Sequence, residues 1–224
     1  MLQDFHAKNY TADKTVLIGL DVSHEQAVKC AELLNLPKSG VTSLASKFVG
    51  SSEHRQVTPS GLAVMAVATG AASAANVKEA VANRILQHIL GISPRIKRGN
   101  GQGQLQKAMS KFNGDASVAA INYSYSDVGL VGAFIVSDPQ SAGKALEAAV
   151  AALRSINVSE AELANAKKSL KLILSEESLS PSSCIETMAT NASLGAVLTP
   201  AQMVDLFEKA SLSDVQVFST SFSM

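Results

Sequence analysis

Between Leu86 and Asp138 an apolar helix end, LQHILG, is followed by a glycine-punctuated loop and then by two apolar strands, INYSYS and GLVGAFIVS, joined around Asp127. This order constrains the fold strongly. Two strands meeting at so tight a joint resemble a hairpin. The loop's glycines, Gly99, Gly101 and Gly103, stand between a cationic trio, Arg95, Lys97 and Arg98, and an amphipathic stretch beginning near Gln104. Arg95, Lys97, Arg98, Gly99, Gly101 and Gly103 are therefore the candidate peptide- or partner-binding residues. Backbone N–H groups of such a loop can cradle an anion or an extended peptide. The phosphate signatures G-x-x-x-x-G-K-[ST] and G-x-G-x-x-G cannot be written here, so a nucleotide site is not indicated.

The rest of the chain reads as helices and strands in alternation. TVLIGL at 15–20 is a short β-rich run, and Ser23 with Gln26 makes a capping box that starts a helix over about 24–35, with Ala27, Val28, Ala31 and Leu34 on one face. Residues 53–58 and 61–69 predict two further strands. The second is apolar on both faces, which predicts a central position in the sheet. A helix from about Ala74 to Leu90 stops at Gly91 and Pro94. Strands follow at 116–126 and 129–137, then helices at 144–156 and from Ser159–Glu162 to about Glu177, and another opening at Thr199, Pro200 and Gln202. After Asp214 the pattern dissolves into VFSTSFSM, which puts the last helix in doubt and suggests a truncated end. The whole is an α+β fold: a mixed, mainly antiparallel sheet covered by helices on one face.

Composition narrows the function classes. Lys plus Arg and Asp plus Glu are 19 each, so there is no general attraction to nucleic acid or to an anionic membrane. The longest uncharged run, 57–77, is broken by Pro59, Gly61 and Gly70 and does not suit a membrane-spanning helix. Two cysteines, Cys30 and Cys184, fall in separate predicted helices without C-x-x-C partners and read as buried thiols. The start, MLQDFHAKNYTADK, lacks an apolar h-region.

Catalytic sets are not legible. None of His6, His24, His54 or His88 belongs to an H-x-x-E-H zinc motif, and the nearest approach, His24-Glu25, fails H-E-x-x-H because position 28 is Val. His24 reads as the first turn of a capped helix, and His88 as a structural residue that bonds a carbonyl or favours the negative helix end. His54 reads as a solvated strand edge. Glu176 and Glu177 are helical neighbours that point in different directions and share no site. Tyr123 and Tyr125 on one strand face read as half-buried packing residues, or as holders of a peptide. No metal or other cofactor is expected.

VLIGLDVSH at 16–24, LQHILG at 86–91 with IKRG at 96–99, and SYSDVGLVG at 124–132 resemble, in order and spacing, the second half of subunits of the mitochondrial processing peptidase and respiratory core-protein family. The resemblance covers roughly residues 1–210. It implies one of two similar α+β halves, with residues 1–14 ending the connecting segment and 15–224 forming the second half. It also implies a non-catalytic structural subunit of the ubiquinol-cytochrome c reductase, peripheral on the matrix side of the mitochondrial inner membrane, supporting respiratory electron transport. Its expected partners are a homologous core subunit and other reductase subunits. The alternative is the non-catalytic, substrate-holding alpha-type subunit of the processing peptidase, whose glycine-rich loop occupies the place of residues 91–103.

Overall fold

A computed structural model describes residues 1–42, 44–50, 61–92, 103–112, 115–195 and 198–219. The elements in order are α1 (Leu2–Asn9), α2 (His24–Leu33), β1 (Ala63–Ala71), α3 (Val77–Leu90), α4 (Gln104–Met109), β2 (Ala116–Ser124), β3 (Gly129–Ser137), α5 (Ala142–Arg154), α6 (Glu160–Ser178), α7 (Pro181–Ser193), α8 (Pro200–Lys209) and α9 (Leu212–Ser219). Short 3-10 turns follow α1 and α4.

The described strands form one antiparallel sheet in the order β1-β3-β2. The β2–β3 hairpin is closed by Tyr125 N–H donating to the Val128 carbonyl at 2.8 Å, with Ser124 opposite Gly129. Ala74 N–H donates to the Tyr125 carbonyl at 2.8 Å, which ties the end of β1 to the hairpin. Gly132 lets β1 and β3 approach: a Cβ there would lie 2.0 Å from the Val67 carbonyl oxygen.

Strand side chains alternate between two faces. The inner face carries Met65 and Val67 from β1, Val118 and Ala120 from β2, and Val131, Ala133 and Ile135 from β3. These join a core completed by Val81, Ile85, Leu86 and Ile89 of α3 and Ala145 and Ala149 of α5. Behind α3, a second layer brings Leu163, Ala166 and Leu170 of α6, Phe207 of α8 and Val215 of α9 into the same core. Helix α3 thus lies between the sheet and the outer helices, which is why it is buried nearly all round. Val64, Ala66, Phe134, Ser117 and Tyr123 point the other way and are exposed, so the helices cover one face only.

Several local expectations change. Residues 15–20 belong to no strand or ladder among the described residues. The 61–69 run is β1 at the edge of the described sheet, and β3 is central. Its apolar residues on both faces reflect a sheet with a second apolar face, not a central position. Helix α7, the helix expected around Cys184 but given no bounds from sequence, is capped by Ser180 with Pro181 in its first turn. The last helix continues to Ser219 instead of dissolving after Asp214. The predicted strand at 53–58, with His54, lies outside the described residues. Cys30 is exposed and Cys184 half-buried, both as free thiols, so neither is the core thiol expected. Tyr123 and Tyr125 are also exposed rather than half-buried.

Candidate interaction site

The glycine loop leaves and rejoins the fold at two points that touch. Helix α3 ends at Gly91 with φ +112°, a conformation that favours glycine, and a Cβ on Gly103 would lie 2.3 Å from the Leu90 carbonyl oxygen and 2.4 Å from Gly91 Cα. The two ends are therefore in backbone contact. Gln106 clasps them: its Nε2 donates to the Ile92 carbonyl at 3.0 Å, and its Oε1 accepts from Gly103 N–H at 3.1 Å. The second bond occupies one of the orphan donors at the start of α4.

This base is in turn bolted to the sheet. Ala120 N–H donates to the Gly91 carbonyl at 2.8 Å, and Gln87 Nε2 donates to the Ala120 carbonyl at 3.1 Å, so both outward main-chain groups of Ala120 on β2 are satisfied by the helix end. On the other side Gln104 Nε2 reaches the Asn157 carbonyl at 2.8 Å and Glu162 Oε1 at 3.1 Å at the start of α6. Burial raises the Glu162 pKa, but the Ser159 N–H and hydroxyl, the Gln104 amide and the nearby Lys107 outweigh it and hold the carboxyl below its usual range.

Of the six loop residues singled out from sequence, Gly103 belongs to this clasp. Arg95, Lys97, Arg98, Gly99 and Gly101 lie outside the described residues. Sequence reasoning missed the three glutamines that fix the base, Gln87, Gln104 and Gln106. The signal for Gln106 was a capping-box spacing from Gly103, hidden because glycine supplies no side-chain half of that motif.

A cleft of about 480 Å³ opens at the opposite end of α3, between α3, α6, α7, α8 and β2. Its floor is apolar, with Leu170, Leu174 and Phe207, and Arg84, Glu177 and Glu186 stand among its polar lining. It contains no histidine or cysteine, and hence no nucleophile–base pair of the kind acyl transfer needs. The histidines are scattered: His6 stacks on Tyr10 in α1 with ring centres 4.5 Å apart, His24 opens α2, and His88 sits late in α3. His24 occupies the capped first turn as predicted, with Gln26 N–H donating to Ser23 Oγ and Gln26 Oε1 accepting from Ser23 N–H. His88 lies in the last turn of α3, and its buried Nδ1 has no hydrogen-bond partner. Burial first, then the adjacent Arg84 charge, lowers its pKa below the ordinary histidine value. Among the described residues no group of three or more His, Cys, Asp or Glu could hold a metal ion.

The family described as the peptidase M16 inactive domain matches residues 1–170. The chain belongs to that family. It is 31% identical over 225 residues to human cytochrome b-c1 complex subunit 2, a match covering 96% of this chain and 49% of the human protein. It is 32% identical over 182 residues to a mitochondrial-processing peptidase subunit alpha-1 of Arabidopsis thaliana, covering 76% of this chain and 36% of that one. A chain in the structure of Complex III2 from Candida albicans with Inz-5 bound superposes with a TM-score of 0.73 at 18% identity, over 89% of this chain and 50% of its own length. At that identity the superposition speaks to the fold. The chain thus spans less than half the length of either curated relative.

Proposed function

We propose that this chain is the second half of a core-type, non-catalytic subunit of the mitochondrial ubiquinol-cytochrome c reductase, with residues 1–14 ending the connecting segment and 15–224 supplying that half. It works by packing. Its partners are a homologous core subunit and other reductase subunits, and it sits peripherally on the matrix side of the inner membrane, supporting the electron-transfer chain without haem or metal of its own. The observation that carries this reading is the likeness to cytochrome b-c1 complex subunit 2, which runs over nearly the whole chain. Supporting it, among the described residues no helix is long and apolar enough to cross a membrane. The reading is tested by affinity purification of the native polypeptide from mitochondria: b- and c-type haem spectra in stoichiometric amount are expected. A haem-free soluble heterodimer that binds presequence peptides would replace the reading.

That second reading, an alpha-type processing-peptidase subunit, draws on the loop base. Gln106 holds Ile92 and Gly103 together, a suitable mount for a peptide-holding loop. Replacing Gly99 and Gly101 with Ala probes it, whereas Gly103 must be left alone because its substitution disturbs the base itself. Weaker binding of a fluorescent presequence peptide by the double variant would favour the peptidase subunit, and unchanged binding would disfavour it.

A further inference from the structure

We propose that residues 15–34 form a docking unit in which Thr15–Leu20 adds as a strand to the open edge of a β-sheet in the other half of the subunit, while α2 lies over the apolar face of that sheet. The proposal rests on the half-subunit reading for the identity of its partner, and on the geometry of this segment for everything else.

The segment has the sequence of a strand, yet it belongs to no sheet among the described residues. Thr15 is extended, at φ −110° and ψ 132°. From Val16 to Val22 no main-chain group is hydrogen-bonded within the described residues. Val16, Leu17, Leu20 and Val22 are 50%, 47%, 43% and 48% exposed, and no charged side chain interrupts 15–20. Apolar residues on both faces mark a strand meant to be covered on both sides. The run then turns at Asp21, whose φ of +59° is a left-handed conformation that aspartate tolerates, and Ser23 caps α2 through its box with Gln26. Helix α2 has no buried residue, although Ala27, Val28, Ala31 and Leu34 share a face.

The unit is presented by a clasp at its base. Ala12 N–H donates to the Pro37 carbonyl at 2.8 Å, Val41 N–H donates to the Lys8 carbonyl at 3.2 Å, and a Cβ on Gly40 would lie 2.1 Å from the Lys8 carbonyl oxygen. The two ends of 15–36 are thus held side by side, and the strand, turn and helix project between them.

The chemistry of the partner follows from what is unsatisfied. A lipid surface or an apolar helix would cover the Val and Leu side chains but leave the main-chain donors and acceptors of 16–20 buried and unpaired, which is unfavourable at each group. A strand edge meets both demands, and the helix that follows then lies on the sheet as in any strand–helix unit. At Ala120 the β2 edge of this chain is closed by Gln87 and Gly91. The relatives supply a source for the missing edge, since this chain covers less than half of their length.

Hydrogen exchange followed by mass spectrometry tests this, comparing the 224-residue chain alone with the native polypeptide in the assembly purified from its source membranes. Amides 16–20 should exchange without protection in the isolated chain and about 100-fold or more slowly in the assembly, as expected when exposed groups join a stable ladder. Ile18→Pro, which removes a donor and cannot pair, should abolish recovery of the chain in the assembly while leaving the protection of Ala116–Ser124 and Gly129–Ser137 unchanged in the isolated chain. Slow exchange of 16–20 in the isolated monomer, or fast exchange in the assembly, overturns the proposal. Protection that appears in the isolated chain only as its concentration rises overturns the choice of partner in favour of a second copy. An assembly without haem would refute the reductase reading and leave the strand test intact.

Discussion

Single atoms decide how firmly the glycine loop is mounted. Gly103 is required because a methyl group there would fall within 2.4 Å of backbone atoms of Leu90 and Gly91, which have no rotamer to give way. Gly103→Ala should cost about 1–3 kcal/mol, the range for overpacking a close contact, measured as a fall in the urea midpoint at constant slope. His88 supplies a different kind of residue-scale effect. Its folded pKa lies below the ordinary value of 6.5, so below that pH the unfolded chain binds more protons than the folded one. The stability associated with the neutral ring is fully present above about pH 6.5 and is lost as pH falls from there toward the folded pKa. His88→Asn should flatten the decline in the urea midpoint just below that pH, and the titration of the His88 ring protons in NMR should fall on the acid side of 6.5. A slope unchanged by the substitution would assign the effect to other groups. The glycines of the loop were legible in the sequence, but the clasp was not, because a glutamine reaching a carbonyl fourteen residues back follows no short-range rule.

At the scale of elements, local chemistry was the legible part. Ser159 with Glu162 and Thr199 with Gln202 close their boxes at helix starts just as the S/T-x-x-E/Q spacing predicts, since the bonds involve neighbours along the chain. What escaped depends on tertiary support. The run TVLIGL has strand propensity but finds no ladder here, because propensity cannot supply a partner. Helix α9 was doubted because its sequence beyond Asp214 lacks a charged face, yet it is fixed at its first turn. Ser211 N–H and hydroxyl donate to Asp214 Oδ2 at 2.9 and 2.7 Å, and Lys78 Nζ of α3 lies 2.8 Å from Asp214 Oδ1. The Lys78 ammonium first, then the Ser211 donors, hold the Asp214 carboxyl well below the usual carboxylate range. Its contribution is present above the unfolded value of 3.8 and disappears as pH falls below that. Asp214→Asn should therefore speed amide exchange across Leu212–Ser219 at neutral pH, leave exchange in β3 unchanged, and differ little from the parent in strong acid. Equal protection of α9 in both proteins at neutral pH would show that burial of Val215 alone secures it.

On the scale of the whole molecule, the described sheet has two apolar faces and the described helices cover one of them. The register pairs Val64 with Val136, and on the same side away from the helices Phe134 lies between Ala66 and Ala119 and Leu130 between Gly70 and Tyr123. Of this set Gly70 is covered within the chain, by Phe48. That distribution explains why β1 read as a central strand: continuous apolar sequence reports coverage on both faces, which a sheet edge shares when its second face is also meant for contact. The two faces predict opposite outcomes at adjacent residues. Ile135, fully buried on the helix side, should lose about 2–5 kcal/mol on replacement with Ala, the range for deleting a packed core side chain. Phe134, 40% exposed on the other side, should tolerate Lys with a change of about 0.5 kcal/mol or less, because a long cation can keep its head in water from that position. The same Phe134→Lys change should lower the binding of a hydrophobic dye by the isolated chain, since it breaks the exposed apolar surface at its middle. Chemical denaturation and dye titration on the two variants check this together. A large destabilisation by Phe134→Lys with dye binding unchanged would mean that this face is already packed within the chain, and that the apolar surface available for contact lies elsewhere.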